Sequence, residues 1–175
     1  PILQDGSRVL AESGAILEYL ADQYDSQRTL SPAATPADAD ERLEYRYWLH
    51  YAEGSAMPPM LLTLVVGRIR SAPMPFFARP IARAIADKME SAFVGPQRHL
   101  HLDWMERRLA GSPWFAGERF TAADIQMSFP LQAAAGRGDG LGERPALAAF
   151  LQRIERRPAY QRAVARGGAL TPIGG

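Results

Sequence analysis

The sequence predicts a small α/β unit at the N-terminus, followed by a region that is helical throughout. Two short β-capable runs and a helical repeat lie within residues 1–24, whereas the apolar patterns after residue 36 have helical spacing. Residues 25–36, with Ser, Gln, Thr and two prolines, have the composition of a linker. Strands and helices separated in this way favour two domains over one mixed sheet. The expected boundaries are residues 1–26, a linker at 27–36 and a helical domain at 37–175.

The first predicted element is a β-hairpin made of residues 2–4 and 8–11. Asp5-Gly6-Ser7 lies between the two runs, and Asp-Gly supplies the positive backbone angles of a tight hairpin turn. The following segment predicts a helix, with Ser13 as the N-cap that accepts a bond from the first free amides. The apolar residues that recur at helical spacing are Ile16, Leu17, Leu20 and Tyr24.

Proline and glycine mark the helices of the second region. Thr35-Pro36 and the acidic residues after it predict the start of a long helix, which Pro58-Pro59 is expected to kink or end. Gly95-Pro96 is expected to stop one helix and start the next. The other predicted helices are 75–93, 96–110, 120–135, 145–155 and 159–165. The glycine-rich tail after Arg166 is expected to be mobile.

The composition excludes several classes of function. Lys and Arg number 20 against 19 Asp and Glu, so a formal net charge of +1 gives no global attraction to nucleic acid or acidic membranes. With no cysteine, the chain lacks disulfides, thiolate metal sites and a cysteine nucleophile of its own. The longest apolar run, residues 60–66, is far shorter than the roughly 20 residues that span a bilayer. Three histidines, of which His99 and His101 face different directions on a helix, make a metal site unexpected.

The segment ERFTAADIQ contains a helix-capping box. Thr121 is the predicted N-cap, Asp124 reaches back to the cap amide, and Phe120 is expected to pack on Ile125 as a hydrophobic staple. The alternative is that Asp124 serves as a catalytic acid. Helix capping is favoured, because two orphan amides are satisfied at once.

Glu12-Ser13 opens the first helix and is the main candidate binding site. A helix N-terminus carries partial positive charge and unpaired amides, so it accepts a carboxylate or phosphate. Glu12 repels an anion unless the ligand also carries an ammonium group, and an α-amino acid end has both groups. A plain cap at Ser13 beside a solvated Glu12 remains the alternative. His50 and Glu53, three residues apart on a helix, suit a substrate contact or an ordinary surface pair.

Four segments together resemble the glutathione transferase family. PILQDGSRVLAESGAILEYLADQY is similar to the second half of its thioredoxin-like domain, in which a proline-led hairpin precedes Glu-Ser or Gln-Ser and a helix. ERFTAADI resembles the buried capping motif of the family, and RPALAAFLQRIERRPAY resembles its last helical segment. YWLHYAEGSAMPPML is similar to the first helix of the all-helical domain in a bacterial and fungal branch. The order of these motifs is more specific than any one of them.

The resemblance implies a fold and a set of glutathione contacts. The fold is the C-terminal half of a thioredoxin-like domain followed by the all-helical C-terminal domain of glutathione transferases. Pro1 corresponds to a cis-proline that exposes the neighbouring backbone, at Ile2, to the cysteinyl unit of glutathione. Glu12 corresponds to the partner of the γ-glutamyl ammonium, and Ser13 with its amide to the holder of the γ-glutamyl carboxylate.

The resemblance also implies an electrophile pocket and a partner subunit. Met57 and Met60, beside the proline pair, are candidates for the apolar wall of that pocket, with plain core packing as the alternative. His50 or Glu53 is expected to reach toward the glutathione of the opposite subunit, because the family usually dimerises about this helix. The residue that activates the thiol is expected before Pro1, so the 175 residues alone are expected to have impaired or absent activity.

The function that the resemblance implies is conjugation of the glutathione thiolate to small apolar electrophiles by a cytoplasmic homodimer. Glutathione is then a co-substrate, and no tightly bound cofactor, metal, nucleic acid or membrane is expected. One alternative is a non-catalytic glutathione-transferase-like binding or assembly module. Another is a peroxidase or disulfide reductase that uses glutathione.

Overall fold

The computed structural model describes residues 1–136 and 141–168. An antiparallel pair of strands is followed by eight α-helices within these residues. The strands are β1 (Ile2–Asp5) and β2 (Arg8–Ala11). The helices are α1 (Ser13–Tyr24), α2 (Ala39–Tyr51), α3 (Met57–Ser71), α4 (Arg79–Met89), α5 (Gly95–Ala110), α6 (Ala122–Ala135), α7 (Pro145–Glu155) and α8 (Pro158–Gly167). Residues 169–175, in the tail predicted to be mobile, lie outside the described residues.

The hairpin forms at the predicted position. Ile2 pairs with Ala11 and Asp5 with Arg8, so Gly6 and Ser7 are the two turn residues. Gly6 has φ 59°, which glycine adopts without a steric penalty. Asp5, predicted to belong to the turn, instead closes β1. The turn therefore needs a positive angle at its glycine and none at the aspartate.

Asp5 attaches the hairpin to α1. Its carboxylate accepts hydrogen bonds from the hydroxyls of Tyr19, at 2.7 Å, and Tyr24. Arg8 donates to the Tyr19 hydroxyl at 3.2 Å. The bonds from Tyr24 and then Tyr19 lower the pKa of Asp5, because they favour the ionised carboxylate. Two turns of α1 are thus held against the end of β1.

The main core lies among α2, α5, α6 and α7. The rings of Trp48, Phe115 and Phe150 meet at its centre, with Trp48 and Phe115 4.7 Å apart and Phe115 and Phe150 5.0 Å apart. Leu17 of α1 packs against this cluster, which joins the N-terminal unit to the helical region. A smaller cluster of Val66, Ala86 and Val94 lies where α3 and α4 meet. None of the helices in the described part of the chain is long and apolar enough to cross a membrane.

A π-helical turn, Ala52–Ala56, connects α2 to α3. The regular α-helix is therefore interrupted before Pro58-Pro59, by a widened turn. Both prolines lie in the first turn of α3. Prolines at 58 and 59 cannot donate to the carbonyls four residues before them, so a regular α-helix would leave those acceptors unpaired. The turn closes with the Met57 amide donating to the Ala52 carbonyl, five residues back.

The same arrangement recurs between α4 and α5, where the prediction was wrong. The helix before Gly95-Pro96 was expected to stop there. Instead, the π-helical turn Glu90–Val94 connects α4 directly to α5 without a loop. Pro96 again lies in the first turn of the next helix. A Cβ on Gly95 would lie 2.9 Å from the carbonyl oxygen of Glu90, so this close approach of the backbone requires glycine.

The predicted capping box is present at the start of α6. Thr121 has an extended backbone, and its amide donates to Asp124 Oδ2 at 2.8 Å. The Phe115 amide donates to Asp124 Oδ1, also at 2.8 Å, so the carboxylate holds the preceding loop as well. Phe120, predicted to pack on Ile125, contacts the ring of Trp114 at 5.1 Å, while Ile125 is 38% exposed.

Replacing Asp124 by Asn is expected to destabilise the fold. The amide NH2 of Asn would face a backbone donor, so one buried amide would lose its acceptor at a cost of about 1–3 kcal/mol. Urea unfolding measures the change, and Asp40→Asn is the control, because Asp40 is exposed in the first turn of α2. Equal midpoints for the two variants would contradict the capping role.

The effect of Asp124→Asn should also depend on pH. Burial raises the pKa of Asp124 to about 6 from an ordinary value of 3.8, although the amides of Phe115 and Thr121 act in the opposite direction. The contribution of Asp124 to the free energy of unfolding is therefore full below 3.8 and is lost as the pH rises through about 6. We expect the variant to lose more stability at about pH 5 than at about pH 7.5, relative to wild type. A pH-independent difference would mean that the carboxylate titrates normally.

Candidate functional site

The hairpin places the two predicted halves of the site side by side. Ile2 lies directly opposite Ala11, so the backbone at Pro1 and Ile2 runs beside the residue that precedes Glu12. The Ile2 side chain points outward and is 78% exposed. The cis state expected at Pro1 concerns the bond to a preceding residue, and it stays a prediction.

Glu12, rather than Ser13, is the N-cap of α1. The Glu12 carbonyl accepts the first helical bond from the Ile16 amide at 2.9 Å, and Ser13 is the first residue of the helix. The backbone of Glu12 has φ 71° and ψ 116°, a conformation that costs a non-glycine residue about 1–3 kcal/mol. The side chain of Glu12 makes no capping bond to the helix. Glu12 is thus an exposed acid with a strained backbone at the start of the helix.

Ser13 is held by a residue from the other end of the fold. The side-chain amide of Gln126, in α6, donates to Ser13 Oγ at 2.6 Å. The same nitrogen lies 3.5 Å from Oε1 of Glu53, in the π-helical turn after α2. Gln126 is only 6% exposed, so this contact is built into the interior. Three segments that are distant in sequence therefore meet at the first turn of α1.

The geometry leaves Ser13 able to bind an anion. A serine hydroxyl carries one hydrogen and two lone pairs. Because Gln126 donates to the oxygen, the hydroxyl hydrogen of Ser13 remains free to point at a carboxylate. The backbone amides of the first turn have no intrahelical acceptors and point the same way. This turn therefore offers several donors to one negatively charged group, with the Glu12 acid adjacent.

The other predicted site residues lie in different environments. Glu53 approaches the site within its own chain, through Gln126. The expected contact across subunits stays a prediction. His50 is exposed on the helix before it. Met60 has no exposed surface and belongs to the main core, so core packing replaces the predicted role in a pocket wall. Met57 is half-buried at the start of α3.

Gln126 was missed by the sequence analysis. It lies in the ERFTAADIQ segment, whose pattern drew attention to the cap alone. A signal was nevertheless present, because Gln126 is a polar residue in a helix most of whose buried residues, such as Ala123 and Met127, are apolar. A buried polar side chain requires partners, and here those partners belong to the site.

Comparison with known proteins agrees with the fold. A family model described as Glutathione S-transferase, C-terminal domain, matches residues 74–158. Glutathione S-transferase 3 of Schizosaccharomyces pombe is 35% identical over 147 residues, which cover 83% of this chain and 57% of that protein. Glutathione S-transferase 1 of Saccharomyces cerevisiae is 30% identical over 165 residues, which cover 93% of this chain and 69% of that protein. The chain thus spans just over half of the first relative and about two thirds of the second.

Solved structures show the same likeness. A glutathione S-transferase from Actinobacillus pleuropneumoniae is 31% identical with a TM-score of 0.73, over 95% of this chain and 67% of that chain. A sphingomonad glutathione S-transferase complexed with glutathione is 26% identical with a TM-score of 0.70, over 97% of this chain and 74% of that chain. The predicted fold class, part of a thioredoxin-like domain followed by an all-helical domain, is confirmed.

Replacing Gln126 by Met should loosen the start of α1. The variant keeps the length of the side chain but loses the donor to Ser13, and one neutral hydrogen bond is worth about 0.5–1.5 kcal/mol. Hydrogen exchange of the amides early in α1 should become roughly three- to tenfold faster. The control is Gln161→Met, since Gln161 is exposed on α8. Unchanged exchange in α1 would show that Gln126 does not hold this helix.

Proposed function

Because this chain belongs to the glutathione S-transferase family, we propose that the first turn of α1 binds the γ-glutamyl end of glutathione. We further propose that the intact protein transfers the glutathione thiolate to small apolar electrophiles. The observation that carries the proposal is the hydrogen bond from Gln126 to Ser13, which leaves the serine hydroxyl free to donate. A sphingomonad relative complexed with glutathione supports the choice of ligand.

The charges around the turn suit a zwitterion better than a simple anion. The carboxylate of the γ-glutamyl unit would accept from the Ser13 hydroxyl and from first-turn amides, where the helix dipole favours negative charge. The adjacent ammonium would pair with Glu12, whose strained backbone holds it at the start of the helix. Glu53 adds a second carboxylate on the far side of Gln126. A phosphate or sulfate has no positive group to offset these acids.

The residues of this chain would bind and orient glutathione. In the reaction, the thiol loses its proton, and the sulfur forms a bond to an electrophilic carbon with loss of a leaving group or addition across a double bond. Holding the γ-glutamyl end reduces the entropy lost when the sulfur meets its target. The group that activates the thiol is proposed to lie before Pro1 in the intact protein.

A homodimer and an apolar electrophile complete the proposal. An exposed apolar face on α2 and α5 supports a partner subunit: Tyr47 and Trp104 are 42% and 41% exposed and share a hydrogen bond of 3.1 Å. Faces of this kind are common in permanent interfaces. Half-buried Met57 remains a candidate contact for the electrophile, and His50 or Glu53 for the glutathione of the partner subunit.

Calorimetric titration of the intact gene product with glutathione tests the binding site. Ser13→Ala removes a hydrogen bond to a charged group, worth about 1.5–3 kcal/mol, so the dissociation constant should rise roughly 10- to 150-fold. The control is Ser26→Ala, because Ser26 is exposed beyond the end of α1. If Ser13→Ala bound glutathione as tightly as wild type did, the ligand would have to lie elsewhere.

Activity measurements on the intact gene product distinguish a transferase from a non-catalytic module and from a peroxidase. Conjugation of glutathione to a chloronitroarene is expected, and Glu12→Gln should raise KM for glutathione more than it lowers kcat, since it removes a binding charge. A silent calorimetric titration of wild-type protein would favour a non-catalytic module. Binding without conjugation, but with glutathione-dependent loss of peroxide, would favour a peroxidase.

A further inference from the structure

We propose that a second pocket, between α1, the linker and α2, binds a free acidic α-amino acid. The pocket has a volume of about 180 Å³ and is lined by residues of all three segments. Its charged residues are Glu18 and Asp22 of α1, Arg28 of the linker, and Arg42 and Arg46 of α2. It is separate from the proposed glutathione site.

A buried hydroxyl points to a ligand in this pocket. Tyr45 lines the pocket and is 5% exposed, and its hydroxyl has no hydrogen-bond partner among residues 1–136 and 141–168. An unpaired buried hydroxyl costs about 1–3 kcal/mol, so native structures rarely leave one without a partner. Burial, followed by the nearby charges of Glu18 and Asp22, raises the pKa of Tyr45 to about 12, so the hydroxyl keeps its proton and remains a donor.

The charged groups around Tyr45 are also without partners. In the described part of the chain, no side chain forms a hydrogen bond or an ion pair with Glu18, Asp22, Arg28, Arg42 or Arg46. Arg28 has φ 48°, a left-handed conformation that few arginines adopt, at the rim of the pocket. Acids on one wall and guanidinium groups on the others therefore face the same space.

This arrangement matches an acidic amino acid in charge and size. Three guanidinium groups and two carboxylates give the pocket one net positive charge, and glutamate or aspartate carries one net negative charge with both signs present. The ammonium would lie by Glu18 and Asp22, and the two carboxylates by the arginines and the Tyr45 hydroxyl. A volume of 180 Å³ corresponds to about six waters at about 30 Å³ each, which is room for a free amino acid.

The pocket is distinct from the first turn of α1. Glu18 and Asp22 lie five and nine residues after Ser13, which places them about 7.5 and 13.5 Å further along the helix. The lining of the pocket contains neither Glu12 nor Ser13. The two proposals fail separately, since the second needs neither Glu12 nor Ser13.

A second copy of the chain is the rival occupant. Acids on α1 and arginines on α2 could pair across a two-fold axis. However, a subunit contact formed by the exposed residues Asp22 and Arg46 leaves the Tyr45 hydroxyl unpaired, because that hydroxyl is buried. A small ligand that enters the pocket satisfies the hydroxyl and the charges together.

The test is calorimetric titration of the protein with L-glutamate, in the presence of saturating glutathione. L-glutamate should bind, whereas glutarate, which lacks the ammonium, and 1,4-diaminobutane, which lacks the carboxylates, should bind at least about tenfold more weakly. Tyr45→Phe keeps the ring in the core, so the fold should persist, and it should weaken binding of L-glutamate roughly three- to tenfold. Arg42→Gln combined with Arg46→Gln should weaken it more than about tenfold.

The control variant is Arg162→Gln, an exposed change on α8 that should leave binding unchanged. Absence of heat with L-glutamate would overturn the proposal and leave water as the occupant. Equal binding of L-glutamate by wild type and Tyr45→Phe would also overturn it, because the ligand would then lie elsewhere. Sedimentation of the same samples tests whether a second copy occupies this surface. That rival would be favoured if no amino acid bound and if the double arginine variant dissociated into monomers.

Discussion

The buried carboxylate of Asp124 sets the position of α6, and the arrangement of the rest of the fold depends on that helix. One oxygen of the carboxylate binds the helix cap at Thr121, while the other binds the loop at Phe115, whose ring occupies the centre of the core. The next amide, of Ala122, donates to the carbonyl of Leu30 at 2.8 Å. The buried acid thus holds the helix start and the backbone of a core aromatic residue, and the amide next to the cap holds the linker. The hydrogen bonds of the cap therefore also help to place the Phe115 ring against Trp48, which is distant in sequence.

The candidate site follows from the same helix. Gln126 lies two residues after Asp124, so the cap that places Asp124 also determines where the Gln126 amide is presented. From there it reaches Ser13 on one side and Glu53 on the other. Glu53 lies in the π-helical turn Ala52–Ala56, directly before the prolines in the first turn of α3. The candidate site therefore combines residues from the start of α6 and from the π-helical turn after α2.

Short-range patterns accounted for much of the fold and for part of the site. The glycine turn, the capping box at Thr121 and the end of the helix predicted over 96–110 depend on neighbouring residues, so the sequence predicts them within a few positions. The π-helical turn before Pro96 was not predicted, because proline in a helix permits a loop, a kink or a widened turn, and tertiary packing selects among them. The contact between Ser13 and Gln126 joins residues 113 positions apart, and no periodicity encodes such a contact.

The two proposed pockets share α1, which raises the question of whether they communicate. Coupling between sites requires an element with two arrangements, each favoured by a different ligand. Here α1 is held at its start by Gln126, in its middle by Leu17 in the core, and toward its end by Tyr24 on Asp5. A twelve-residue helix with anchors along its whole length can shift only if several of these contacts break together. Since neither ligand is proposed to replace these anchoring contacts, the two sites should fill independently.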